Sequence, residues 1–105
     1  MAVGLAVGVE ECGAMLAALL SRTRATKELR AAGALASLSW LSGMTDKRPI
    51  RRDVEPATRL TLGPELDLAG RVERGEVNST VPRAYAAGVL DAALWAYGRP
   101  RRPLI

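Results

Sequence analysis

The sequence predicts an all-α fold: a small single-domain bundle of three to five helices, with an internally duplicated helix motif and an irregular central segment. Apolar residues recur at helical spacing along much of the chain. Residues 31–50, AAGALASLSWLSGMTDKRPI, also match residues 86–105, AAGVLDAALWAYGRPRRPLI, in their alanine, glycine and tryptophan positions. Because 105 residues are too few for two independent cores, we expect one domain over residues 1–105.

The duplicated motif pairs a glycine with a tryptophan seven residues later, Gly33 with Trp40 and Gly88 with Trp95. Residues seven apart lie on nearly the same helix face. We therefore expect two antiparallel helices related by a pseudo-twofold axis, with each tryptophan resting over the glycine of the other copy. This packing would fill the core of a chain that has no Phe. The alternative is that each tryptophan is half exposed and marks an interface, since tryptophan is enriched at binding hot spots.

Two helices are predicted in the first half of the chain. Apolar residues form one stripe over residues 10–21, which indicates an amphipathic helix. A second helix is expected over about residues 27–42, with Thr26 as its N-cap and Gly43 as the left-handed residue that ends it. The apolar arm before them, residues 2–9, is expected to dock on the protein, and if it does not dock within the monomer it would seek a partner subunit.

Proline and glycine divide the central segment, residues 44–80, into short pieces. Within it, Pro64 is expected to open a helix of about ten residues that ends at Gly75. A final helix is predicted over residues 84–97, with capping residues at 78–80, Pro82 in its first turn and Gly98 as its stop. A basic, proline-containing tail follows each copy of the motif.

The composition of the chain indicates its cellular compartment and the kinds of partner that it could bind. Cys12 is the only cysteine, which excludes an intramolecular disulfide and favours a reducing compartment. The apolar run of residues 13–20 is shorter than the roughly 20 residues of a spanning helix, so we expect a soluble, cytoplasmic protein without membrane contact. The net charge of +4 permits nucleic acid as a partner. The basic residues are interspersed with carboxylates, however, which is more typical of solvated surface.

Catalytic signatures are missing from the sequence. Without histidine and with one cysteine, nucleophile–base triads and histidine-bearing metal sites are excluded. Neighbouring carboxylates, such as Glu10 with Glu11 or Asp53 with Glu55, do not converge on one site. No glycine-rich phosphate loop is present. We therefore expect no enzymatic activity, no cofactor, no metal and no small-molecule substrate.

Arginines after each copy of the motif are the candidate contacts for a phosphate or a partner. They are Arg48, Arg51 and Arg52 after the first copy, and Arg99, Arg101 and Arg102 after the second. The function expected from the sequence is a small helical protein–protein interaction or adaptor protein. It would form a homo-oligomer through its N-terminal arm if that arm does not dock within the monomer. The alternative is a nucleic-acid-associated protein whose arginine clusters make sequence-independent phosphate contacts. No known DNA-binding motif supports this alternative.

Overall fold

The computed structural model describes residues 5–104 of the chain. Four helices make up the fold: α1 (Val9–Thr26), α2 (Leu29–Leu41), α3 (Arg59–Glu73) and α4 (Arg83–Ala96). Residues 5–104 contain no β-strand, and an isolated antiparallel bridge joins Lys47 to Val54. The radius of gyration is 12.4 Å, close to the roughly 13 Å of a compact 100-residue domain. The predicted all-α single domain is thus confirmed.

Helices α2 and α4 form the centre of the fold. Helix α1 packs against α2, and α3 packs against α4. Helix α2 contributes the large buried apolar side chains Trp40, Leu38 and Leu41, and α1 contributes Leu19. The buried apolar residues of α4 are Val89 and a series of alanines. Because the buried face of α4 is made of small side chains, the two central helices can approach each other closely.

Helix α1 extends to Thr26, well beyond the predicted range 10–21. Its last turns contain Thr23 and Thr26, whose hydroxyls donate hydrogen bonds to backbone carbonyls one turn earlier and so remain compatible with a helix. The helix stops at Lys27, which adopts a left-handed conformation with φ of 56°. The prediction of Thr26 as the N-cap of the second helix is therefore wrong, since α2 begins only at Leu29.

Helix α3 begins at Arg59, earlier than predicted, and Pro64 lies inside it. The start is determined by a capping box. The Thr58 hydroxyl accepts the backbone N–H of Thr61, and the Thr61 hydroxyl accepts the backbone N–H of Thr58 at 2.8 Å. The predicted end is confirmed, because Gly75 follows the helix with φ of 74°.

The predicted stops of the other two helices are also confirmed. Gly43 after α2 and Gly98 after α4 have φ values of 83° and 76°, a region that glycine enters without steric cost. Pro82 is the N-cap of α4 rather than a residue of its first turn, and no side chain caps this helix. The Ser79 hydroxyl instead accepts the backbone N–H of Val81.

The described part of the N-terminal arm docks within the monomer. The backbone N–H groups of Ala6 and Val7 donate to the carbonyl oxygen of Ala96 at 2.8 and 3.2 Å, and Leu5 and Val7 pack against the core. The first residues of the arm, 1–4, and the last residue of the second motif copy, Ile105, lie outside the described residues. Among the described helices, none has the length and apolarity that a membrane crossing requires.

Candidate functional site

Gly33 and Gly88 lie where α2 and α4 touch backbone to backbone. A Cβ added to Gly33 would lie 2.0 Å from the carbonyl oxygen of Tyr85, and one added to Gly88 would lie 1.9 Å from the carbonyl oxygen of Arg30. Neither position has room for a side chain. The two contacts are reciprocal, because each glycine faces the residue three positions before the other glycine.

The tryptophans do not fill the space above these glycines, contrary to expectation. The atoms nearest to each glycine belong to the backbone of the opposite helix, which leaves no gap for an indole ring. Trp40 is instead fully buried, and its Nε1–H donates to the carbonyl oxygen of Glu55 at 2.7 Å. Trp95 is only partly buried and borders a shallow groove beside Met15. The two tryptophans therefore have different environments.

Asp91, in the middle of α4, is a fully buried carboxylate held by three arginines. It accepts hydrogen bonds from Nε of Arg30 and Nε of Arg102, both at 2.8 Å, and from Nε of Arg101. Burial alone would raise the pKa of Asp91, but the hydrogen bonds from Arg101 and Arg30 outweigh burial and lower the pKa. The side chain is thus a structural anion at neutral pH.

The three arginines that bind Asp91 also hold the C-terminal tail, residues 99–104, against the helices. Arg101 also donates to both carboxylate oxygens of Glu73, at 2.5 and 2.7 Å. The guanidinium of Arg30 donates to the carbonyl oxygen of Pro103 at 2.6 Å, and Leu104 is buried beyond it. The tail is therefore part of the folded domain.

Glu65 of α3 holds the loop between α2 and α3, as Asp91 holds the C-terminal tail. Its buried carboxylate accepts the backbone N–H of Ile50 at 2.6 Å and that of Arg51 at 3.0 Å. It also pairs with the guanidinium of Arg51 at 2.7 Å, and Arg48 pairs with Asp53 in the same loop. These contacts hold residues 47–54 against α3.

Four of the six arginines predicted to contact phosphate are thus engaged by carboxylates of this chain. They are Arg48, Arg51, Arg101 and Arg102. Over residues 5–104, no ion pair involves the remaining two, Arg52 and Arg99. Sequence reasoning missed the buried partners, although one signal was present: Asp91 is the single acidic residue of α4 and stands in the apolar stretch AAGVLDAALWA.

An apolar groove lies between α1 and α2 on the outside of the bundle, with a volume of about 480 Å³. We call it the α1–α2 groove. It is lined by Gly13, Leu16, Ala17, Leu20, Leu35, Ser39 and Met44. A smaller depression continues it to Val9 at the start of α1.

Side chains suited to metal or thiol chemistry are not gathered into a site. Over residues 5–104, no group of three or more His, Cys, Asp or Glu residues is arranged to hold a metal ion. The Cys12 thiol is buried in the core, and this burial raises its pKa. A raised pKa lowers the fraction of reactive thiolate.

No family model, curated protein or solved structure matches the chain at a significant level.

Proposed function

We propose that this chain is a non-enzymatic protein–protein interaction protein that works as a homodimer, with the α1–α2 groove as its interface. The supporting observation is the apolar surface that the monomer leaves in solvent. Val9 and Met44 are each 71% exposed, and Leu20 is 40% exposed. Isolated exposed apolar side chains are ordinary. Continuous ones along a groove are typical of interfaces.

Helix α1 carries a second apolar stripe in addition to the one that faces the core. The core-facing stripe contains Cys12 and Leu19, which are the buried residues of α1. The outer stripe consists of Val9, Gly13, Leu16, Ala17 and Leu20, which recur at the spacing of one helix face. The small residues Gly13 and Ala17, one turn apart, would let another helix approach closely, as the glycines of α2 and α4 do within the monomer.

The charges of α1 favour a second copy of this chain as the occupant. The first turn of the helix is acidic, with Glu10, and its last turn is basic, with Arg24. Both residues lie on the side of α1 that carries the outer stripe, at its two ends, and neither has an ion pair within residues 5–104. Antiparallel pairing would set Glu10 of each copy beside Arg24 of the other, twice per dimer. Parallel pairing would bring like charges together.

Light scattering or sedimentation over a range of concentrations tests this dimer. We expect a dimer for the native chain and a monomer for Leu20→Glu, because the new carboxylate would be buried in the interface. Leu60→Glu is the matched control, since Leu60 is 86% exposed on α3 and should leave the dimer intact. A native chain that stays monomeric, or a Leu20→Glu variant that still dimerises, would disprove the interface.

Charge exchange tests the antiparallel orientation. Glu10→Arg and Arg24→Glu should each weaken the dimer, because each places like charges in contact. The double variant should restore much of the affinity. Failure of the double variant to recover would reject the antiparallel arrangement while leaving the groove itself as the interface.

The structural role of the two buried carboxylates supports the proposal that the protein is not an enzyme. Asp91 and Glu65 would be the strongest candidates for acid–base chemistry, since burial is the usual means of tuning such groups. Each is instead saturated by arginines or backbone N–H groups that hold the fold. Incubation with panels of ester, phosphoester and glycoside substrates should therefore yield no turnover above background.

The nucleic-acid alternative has narrower support: the net charge of +4, and two arginines, Arg52 and Arg99, that form no ion pair within residues 5–104. Heparin chromatography tests it. Binding to phosphate backbones would give retention that falls steeply with salt and weakens in an Arg52→Ala, Arg99→Ala double variant. Retention that does not change with salt concentration would exclude the nucleic-acid alternative. Arg101 and Arg102 are unsuitable for the test because their loss would release the tail.

We also propose that residues 31–50 and 86–105 are copies of one ancestral unit arranged about a pseudo-twofold axis. The reciprocal contacts of Gly33 and Gly88 support this. So do the left-handed stops Gly43 and Gly98. Further support comes from the tails, since each copy carries a buried apolar residue after its Arg-Pro pair, Ile50 in the first and Leu104 in the second.

A further inference from the structure

We propose that the loop between α2 and α3 and the start of α4 form a binding site for a small oxyanion, with a phosphate group as the ligand. A cavity of about 150 Å³ lies between them. The polar residues that line it are Thr45, Lys47, Arg48, Arg52 and Tyr85. This site is lined by none of the residues of the α1–α2 groove, so it is independent of the proposed dimer.

The charges of the residues that line the cavity favour an anion. Arg48 is paired with Asp53. No ion pair within residues 5–104 involves Lys47 or Arg52, and no carboxylate lines the cavity. Two uncompensated cations beside a recessed space attract a counter-charge, and phosphate oxygens accept the fork of donors that arginine offers. Thr45 and Tyr85 also line the cavity, and hydroxyl groups are neutral hydrogen-bond donors.

The backbone conformation of Arg52 also supports a ligand at this cavity. Arg52 has φ of 65°, in the left-handed region that glycine or asparagine enters at lower cost. It closes a tight turn in which its N–H donates to the carbonyl oxygen of Arg48 at 3.0 Å, and the N–H of Arg48 donates to the carbonyl oxygen of Asp53 at 2.9 Å. Residues held in costly conformations cluster at ligand sites. A ligand that uses the guanidinium gives a reason for arginine at this position.

Both walls of the cavity are held in place before any ligand arrives. On one side, Glu65 fixes the loop through the backbone N–H groups of Ile50 and Arg51. On the other, Tyr85 belongs to the turn of α4 whose carbonyl lies against Gly33. A preformed site avoids the entropic cost of ordering its donors on binding.

Titration with inorganic phosphate, followed by backbone amide NMR at constant ionic strength, tests the site. We expect saturable shifts confined to the loop of residues 45–53 and to Tyr85, with no such response to chloride. Arg52→Gly should weaken phosphate binding about tenfold or more, since it removes a charged donor. The same variant should melt at a higher temperature than the native chain, because glycine suits the left-handed backbone. Arg99→Ala, which removes an exposed arginine elsewhere, is the matched control and should bind phosphate normally.

A second titration, with phosphoserine, distinguishes free phosphate from a phosphorylated ligand. Phosphoserine carries the phosphate group as an ester. Tighter binding of inorganic phosphate would assign the site to the free ion, and tighter binding of phosphoserine would assign it to a phosphorylated ligand. The Leu20→Glu variant should bind equally well, which separates this site from the dimer. The proposal is overturned if neither probe gives saturable shifts, or if Arg52→Gly binds phosphate as the native chain does.

Discussion

The α-carbon of Gly88 on α4 lies so close to the carbonyl oxygen of Arg30 on α2 that an added Cβ would sit 1.9 Å from that oxygen. The side chain of the same arginine reaches Asp91, one turn further along α4. Backbone and side chain of Arg30 therefore hold the same helix. This contact between α2 and α4 is made by backbone atoms without side chains, and the ion pair of Arg30 with Asp91 lies beside it.

Gly88→Ala should destabilise the fold by about 3 kcal/mol or more, because the methyl group would force the two helices apart. The free energy of unfolding from urea denaturation measures the loss. Gly63→Ala is the control: this helical glycine of α3 has open space around it and lies outside the α1–α2 groove, so alanine should change the stability by no more than about 1 kcal/mol. Equal effects of the two substitutions would contradict the close packing of α2 and α4.

Asp91→Asn should cost about 1–3 kcal/mol of unfolding free energy, because three arginine donors lose their charged acceptor. The loss stays moderate since the arginines are partly exposed and regain water. Asp67→Asn is the matched control. Asp67 pairs with Arg71 at 3.0 Å on the exposed face of α3, and such pairs contribute only about 0.3–0.5 kcal/mol. Equal losses in chemical denaturation would refute the structural role of Asp91.

Acid should destabilise the native chain more than the Asp91→Asn variant. The pKa of Asp91 is lowered in the folded state, so its contribution is complete above its unfolded pKa of about 3.9 and is lost as the pH falls through the folded value. Melting temperatures measured from about pH 6 down to about pH 2 should therefore fall more steeply for the native chain below about pH 4. Parallel curves for the two proteins would exclude this linkage.

Removing the two tail arginines should expose Trp95. Arg101 and Arg102 hold the tail, and the tail together with Met15 and Trp95 lines one groove. In an Arg101→Ala, Arg102→Ala variant, we expect a red-shifted emission and a larger acrylamide-quenchable fraction, while the fully buried Trp40 stays protected. Arg99→Ala should leave emission unchanged. Native-like emission from the double variant would show that the tail stays docked without its ion pairs.

The fold class and most helix ends could be predicted from local signals. Helical spacing of apolar residues identified the helices, and glycine marked the stops at Gly43, Gly75 and Gly98 because few other residues adopt that backbone. The end of α1 and the start of α3 were misjudged. Threonine disfavours helices on average, yet its hydroxyl can return a hydrogen bond within the helix or build a cap, and tertiary context decides between these outcomes.

The candidate sites were less predictable because charges pair across distant parts of the chain. Arg101 and Arg102 stand in a basic tail that is typical of a phosphate-binding segment. Their partner Asp91 lies on α4, and Arg30, which shares it, comes from α2. Only the folded structure shows that these arginines pair with carboxylates of the same chain. Arg52 stands in a similar sequence context, and no carboxylate within residues 5–104 pairs with it.

The backbone contact at Gly33 and Gly88 also fixes the axial register of α2 and α4. Sliding either helix by one turn would bring a residue with a side chain, such as Ser37, to a position where even a methyl group does not fit. Helices α2 and α4 therefore cannot slide past each other by one turn. Any shape change that accompanies partner binding has to take place in the outer helices, and α1, which has only two buried residues, is the most free to provide it.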